Sequence, residues 1–269
     1  MEIKSVWAIY FSATGTTETI ATRVAREAAG LLKAAYRTYD FTLPSAREGF
    51  PALGEGDLVI FGCPVYAGRV PNVLLPYLRT VKGNGALAAP VSLYGNRDFD
   101  DGLIELRDLL EAGGFHTIAG AAFIGEHAFS RVLAAGRPDV KDLEIADGFA
   151  RQVAEKAAAW DPSVPHAPAA VRGEEPIRPY YQPRDRKGNP IDIRKVKPKT
   201  SDACDGCGLC ARVCPMGSID PEDVRAFRGI CIKCGACVKK CPKGAKYYDD
   251  PGYLYHKEEL ELGFARRAE

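Results

Sequence analysis

No apolar run in the 269-residue sequence approaches the ~20 residues that span a bilayer, so a helical membrane protein is excluded. The opening Met1-Glu2-Ile3-Lys4 lacks the basic start and long apolar core of a secretory signal, and a cytoplasmic location is the expectation. An excess of one charge is missing as well. With 36 Lys and Arg against 35 Asp and Glu, a net charge of +1 and a pI near 7.5, bulk electrostatics gives no reason to expect nucleic acid or a membrane surface as partner. Neither the G-x-x-x-x-G-K-[ST] phosphate loop nor the dinucleotide G-x-G-x-x-G occurs at the first strand-to-helix turn. Cysteine is nearly absent from the first two hundred residues, where Cys63 stands alone, while the other eight fall between 204 and 241. In a reducing compartment such clustering points to metal ligation rather than disulfides.

The length favours two unequal domains. Residues 1–160 alternate apolar runs with amphipathic segments, as an α/β layer fold does. Strands are expected at Val6 to Phe11, Ala34 to Tyr39, Asp57 to Gly62, Pro90 to Tyr94 and Thr117 to Ile124. Helices are expected at Thr16 to Lys33, Pro71 to Val81, Asp100 to Gly113 and Val140 to Trp160. Runs such as "LVIFG" read as strands buried on both faces of a parallel, doubly wound sheet. From 161 to 200 the periodicity fades and eight prolines appear, which marks a linker or a docked strap with Tyr180, Tyr181, Ile191 and Ile193 as apolar anchors. Its reach, up to ~130–140 Å when extended, allows the second domain to pack on its own chain or on a partner chain, so a homodimer stays open. The tail from 247 reads as a turn at Asp250-Pro251-Gly252 followed by a short packing helix.

Residues 201–246 contain an internal repeat: a shift of 27 carries Cys204, Cys207, Cys210, Cys214 and Pro215 onto Cys231, Cys234, Cys237, Cys241 and Pro242. Each copy reads C-x2-C-x2-C-x3-C-P, and the region resembles the bacterial two-cluster ferredoxin module. That resemblance implies crossed ligation of two [4Fe–4S] clusters, with Cys204, Cys207, Cys210 and Cys241 on cluster I and Cys231, Cys234, Cys237 and Cys214 on cluster II. Three closely spaced thiolates wrap three corners of a cubane, and the fourth corner needs a ligand from elsewhere. C-x2-C is also zinc spacing, so a zinc-stapled, non-redox interaction protein is the alternative.

At the amino terminus, "VWAIYF" runs into "SATGTTET" and then into a helix, so Ser12, Ala13, Thr14, Gly15, Thr16 and Thr17 offer amides and hydroxyls at a helix N-terminus. Without a lysine, the loop suits a phosphate monoester better than a triphosphate. Two further strand ends carry "CPVYAGRVPN" and "GNRDFDD", on the edge where open α/β sheets bind ligands. These three loops resemble those of the flavodoxin family. The resemblance implies a five-stranded sheet of order 2-1-3-4-5 that binds FMN through the first loop, through Pro64, Val65, Tyr66, Ala67 and Gly68, and through Gly95, Asn96, Arg97 and Phe99. Tyr66 and Phe99 match the aromatics that cover the flavin ring. Arg69 and Arg97 depart from the acidic surroundings usual there, and a cation would favour an anionic reduced flavin. Cys63 reads as a small buried residue. His127, in "GEHAFS" after the fifth strand, is the candidate catalytic residue, a proton donor to reduced flavin or substrate.

The whole chain resembles the flavodoxin-plus-ferredoxin fusions of anaerobic bacteria and archaea. An electron-transfer flavo-iron–sulfur protein is therefore expected, exchanging electrons with a redox protein partner. The alternative is an FMN-dependent reductase of a small molecule, fed by its own clusters.

Overall fold

A computed structural model describes residues 1–268. Strands β1 (Ser5–Tyr10), β2 (Ala35–Asp40), β3 (Asp57–Pro64), β4 (Leu87–Tyr94), β5 (His116–Thr117) and β6 (Ala121–Ile124) form a parallel sheet of order β2-β1-β3-β4-β5, with β6 also paired to β4. This is the 2-1-3-4-5 order of a flavodoxin-like doubly wound fold. Residues of alternate parity enter different cores. Val6, Ala8, Leu58 and Ile60 pack against helices α1 (Thr16–Leu32) and α4 (Val140–Ala158). Ile9, Phe11, Val59 and Phe61 face the side of α2 (Leu75–Leu78) and α3 (Gly102–Ala112). Burial on both faces accounts for the near-continuous apolar runs.

Two expected elements differ. The single fifth strand is split, because the partner offset changes from Ala88↔Thr117 to Val91↔Ala121, one extra residue on the edge strand. Pro90 of β4 lies at the break, and with no N–H to donate it interrupts the ladder, so the edge bulges. The expected helix from Pro71 to Val81 is a 3-10 turn at Asn72–Leu74 and one short α-helical turn, with Pro76 inside the segment.

Residues 161–198 run over the surface as a strap. The Tyr180 hydroxyl donates to the Val70 carbonyl at 2.8 Å, Tyr181 N donates to the Ala67 carbonyl at 2.8 Å, and Ile193 is buried. The small α+β domain that follows is closed by β7 (Lys199–Thr200) pairing antiparallel with β8 (Lys246–Tyr247), around the turns α5 (Leu209–Arg212) and α6 (Ala236–Lys239). It docks on the sheet domain: Cys234 and Ala236 enter the same core as Phe61 and Leu106. Lys239 Nζ donates to Glu126 Oε1 at 2.5 Å and to the His127 carbonyl at 2.7 Å. Gly235 is required at this contact, since a Cβ there would stand 2.5 Å from the Ala128 carbonyl oxygen and its φ is +78°. Helix α7 (Pro251–Gly263), N-capped by Asp250, returns to the sheet domain, and Asn96 Nδ2 donates to the Phe264 and Arg266 carbonyls beyond it. Among the described residues no helix is long and apolar enough to cross a membrane.

Candidate functional site

The carboxyl ends of β1, β3, β4 and β6 open into one cavity of about 490 Å³. Ala13, Thr14, Thr16 and Thr17 supply the first wall. The chain turns into α1 at Gly15, whose φ of +98° a side chain would disfavour and which has no side chain to cap the helix. The Thr16 and Thr17 amides and three threonine hydroxyls are left for a ligand. Ser12 is used otherwise: its hydroxyl accepts from Glu18 N at 3.0 Å and its amide donates to Thr42 Oγ1 at 2.7 Å.

Pro64 to Gly68 form the second wall. Tyr66 and Arg69 exchange backbone hydrogen bonds of 2.9 and 3.2 Å around a two-residue turn in which Ala67 and Gly68 both have positive φ, 51° and 79°. The turn points Tyr66 into the cavity. Burial pushes the Tyr66 phenol well above its ordinary range, and the neighbouring Cys234, Cys63 and Cys231 add to the shift. Tyr66 therefore lies beside the cysteines of the small domain at the cavity wall. Arg69 is turned away: Glu105 grips its guanidinium at 2.7 and 2.6 Å, and it caps the Arg178 carbonyl at 2.6 Å. Cys63 is buried in the core beneath, which pushes its thiol pKa up.

Of the third loop, Gly95, Arg97 and Asp98 line the cavity. Arg97 pairs with Asp100 and lies 4.4 Å over the Tyr181 ring. Asn96 holds the carboxy-terminal segment, and Phe99 does not line the cavity. It packs on Tyr94 at 5.5 Å with the Arg172 guanidinium 3.8 Å from its ring centre. Arg172 of the strap covers Phe99, which therefore stands outside the cavity, whereas Tyr66, Phe129 and Tyr181 are among the aromatics of its wall.

His127 is half-buried at the far side. Its ring edge rests on Gly95, where a Cβ would come within 2.3 Å of His127 Cδ2. Phe129 N donates to His127 Nδ1 at 3.1 Å, so the neutral ring carries its proton on Nε2. Burial, followed by the charges of Lys239, His256 and Arg97, pushes its pKa down to about 3. The neutral ring thus keeps an Nε2–H to offer at the cavity wall.

Three contributions to the cavity were not legible locally. Tyr180, Tyr181 and Pro183 of the strap form its outer wall, His256 and Leu260 of α7 close one end, and Cys231 and Cys234 of the small domain close another. Helix α7 is thus part of the site as well as packing.

Beyond that wall lie two small cavities. One is lined by Cys214 together with Cys231, Cys234 and Cys237, the other by Cys204, Cys207 and Cys210 together with Cys241. The sulfurs stand around each space: among the described residues no three His, Cys, Asp or Glu side chains converge closely enough for a single ion. Burial pushes the Cys234 thiol up to about 12 and raises Cys237 further. Such thiols lose their protons only to a strong cation, so the donor set fits a multinuclear iron–sulfur group. Backbone N–H donors already aim at the sulfurs, Ser218 N at Cys214 Sγ (3.4 Å) and the repeat-related Ala245 N at Cys241 Sγ (3.3 Å).

Residues 203–246 match the family described as a 4Fe-4S dicluster domain. No curated protein matches the chain. Among solved structures, a flavodoxin from Streptococcus pneumoniae TIGR4 is 18% identical, with a TM-score of 0.41 over 56% of this chain and 99% of its own. A flavodoxin from the domain Archaea is 15% identical, TM-score 0.43, over 58% and 99%. The rubredoxin oxygen:oxidoreductase of Desulfovibrio gigas is 16% identical, TM-score 0.40, over 59% of this chain and 37% of its own. At these values the fold class stands on the strand order itself. The chain therefore joins a domain of flavodoxin-like fold to a 4Fe-4S dicluster domain, the architecture of a flavodoxin–ferredoxin fusion.

Proposed function

We propose that the protein is an electron-transfer flavo-iron–sulfur protein that passes electrons between two [4Fe–4S] clusters and FMN. The observation that carries this reading is the shared wall: one cavity is lined both by the three ligand-binding loops of the sheet and by Cys231 and Cys234. FMN supplies one- or two-electron chemistry and each cluster one-electron chemistry, so their union in one chain makes a converter. Thr14, Thr16, Thr17 and the α1 amides would hold the FMN phosphate, and Pro64–Gly68, Gly95 and Arg97 would border its ring. Cys204, Cys207, Cys210 and Cys241 would hold cluster I, and Cys231, Cys234, Cys237 and Cys214 cluster II, in line with the two cavities.

The chain's own geometry orders these sites. Cys231 and Cys234 face the flavin cavity, whereas Cys207 is exposed and takes no part in its wall. A redox protein partner would dock there. Because the small domain packs on the sheet domain of its own chain, exchange needs no second copy.

Anaerobic purification with iron, sulfide and flavin counts tests the reading: about eight iron atoms and one FMN per chain are expected. Flavin-free protein that cannot be reconstituted would remove the flavin half, and colourless protein would turn the reading to zinc. Cys214→Ala tests the crossing. It should abolish the cluster of the second repeat and leave that of the first; loss of the first alone would overturn the assignment.

A second reading, an FMN-dependent reductase of a small molecule, is favoured by the strap. Tyr180, Tyr181 and Pro183 screen the cavity that an open-edged carrier would expose. His127 Nε2–H and Arg97 remain inside as donors for an anionic or carbonyl substrate. Reoxidation of the reduced protein by small-molecule acceptors would support it, and fast exchange with proteins alone would not.

A further inference from the structure

A buried ammonium lies among the cysteines without a carboxylate. Lys246 is 3% exposed. Its Nζ donates to Thr200 Oγ1 at 2.7 Å and to the Val224 carbonyl, and stands 5.4 Å over the Phe227 ring. All these partners are neutral, and among the described residues no Asp or Glu pairs with it. Burying a charge is strongly disfavoured unless a counter-charge is at hand. Lys246 lines the cavity of Cys204, Cys207, Cys210 and Cys241.

The repeat sharpens the point. A shift of 27 residues places Ile219 on Lys246. Ile219 is also 3% exposed and lines the other cavity, that of Cys214, Cys231, Cys234 and Cys237. One site thus has an apolar side chain where its counterpart has a cation. Beside the second site stand the Tyr248 hydroxyl, 3.7 Å from Cys231 Sγ, and Lys233, whose Nζ donates to the Cys231 and Arg194 carbonyls at 2.9 and 3.1 Å and which lines the large cavity rather than that of the cluster cysteines. Lys246 acts on the outer cavity through its charge, since its hydrogen bonds go to Thr200 and Val224.

We propose that Lys246 is the counter-ion of the outer iron–sulfur cluster and makes it the more readily reduced of the two. This rests on the two-cluster reading above. Each cluster takes up one electron and one unit of negative charge, and a fixed ammonium at the wall favours that uptake where it stands. The outer site then holds the first electron, ready for exchange with a partner at the exposed Cys207.

The test is a dithionite redox titration of the holoprotein followed by EPR. Wild type should show two one-electron waves separated by at least a tenfold difference in occupancy, or ~59 mV. In Lys246→Ile the upper wave should fall by at least that amount, and Lys246→Arg should keep the separation. Coincident waves in wild type, or unshifted waves in Lys246→Ile carrying eight irons, would overturn the proposal. If Lys246→Ile does not assemble both clusters, Lys246→Arg decides. Assembly with arginine supports a requirement for charge, and failure of both variants overturns the proposal in favour of a purely steric role. Wild-type protein with four irons or none would instead defeat the two-cluster reading, before this question arises.

Discussion

Asp101→Ala is expected to unpin the strap and loosen the flavin cavity together. Asp101 occupies the N-cap position of α3 yet gives its own helix no cap bond. Its fully buried carboxylate accepts instead from Glu174 N (3.0 Å), Arg178 N (2.7 Å), Arg178 Nε (2.9 Å) and Arg178 Nη2 (2.5 Å). The Arg178 guanidinium, seconded by the two amides and opposed by burial, holds the Asp101 pKa down to about 2 from 3.8. The stability this gives is therefore present above about pH 3.8 and lost as the pH falls towards 2. Removing one member of a buried ion pair costs ~3–5 kcal/mol. Arg178, however, is 43% exposed and can turn to water, so about 2 kcal/mol is the reasonable figure. At ~1.4 kcal/mol per decade, that is about a 30-fold rise in the open population of the strap. The strap contributes Tyr180 and Tyr181 to the cavity wall, so flavin should dissociate more readily by a similar factor. Limited trypsin digestion reads the opening at Arg172, Arg184 and Arg186, and flavin fluorescence reads the affinity. A variant as protected as wild type, with unchanged flavin affinity, would refute the view that this carboxylate ties the strap to the site.

Gly95→Ala should destabilise the protein by ~1–3 kcal/mol and weaken flavin binding, because the new Cβ would meet His127 Cδ2 at 2.3 Å; thermal melts and flavin titration check both. His127, held neutral down to about pH 3 by burial, binds a proton in the unfolded chain below about 6.5, so it lowers stability as the pH falls through that window. The slope it adds is ~1.36 kcal/mol per pH unit, and urea midpoints at pH 7.5 and 5 should differ less in His127→Asn than in wild type. Gly235→Ala forces the small domain off Ala128 and should slow cluster–flavin electron exchange in flash photolysis while leaving the iron count intact. An unchanged rate would mean that this contact does not set the distance between the domains.

The cysteine repeat was legible because its ligands are local: three cysteines within seven residues shape one loop, and the fourth follows at a fixed interval. Thr14, Thr16 and Thr17 were legible for the same reason, since a strand end and a helix start flank them. The split of the edge strand was not read from the sequence, since the bulge depends on how that strand pairs with β4 across Pro90. The places of Phe99 and Arg69 outside the cavity were not legible because their partners are distant in sequence: Arg172 covers the one, and Glu105 and the Arg178 carbonyl hold the other. The same limit hid His256, Tyr180 and Tyr181, whose places in the cavity follow only from how α7 and the strap dock. Spacing within a few residues thus specifies which groups the chain can hold. Contacts across a hundred residues specify access to them, and here they give the flavin cavity a wall of strap on one side and of Cys231 and Cys234 on the other. Under the proposed function, electrons from a protein partner would enter at the exposed Cys207 rather than at the screened cavity.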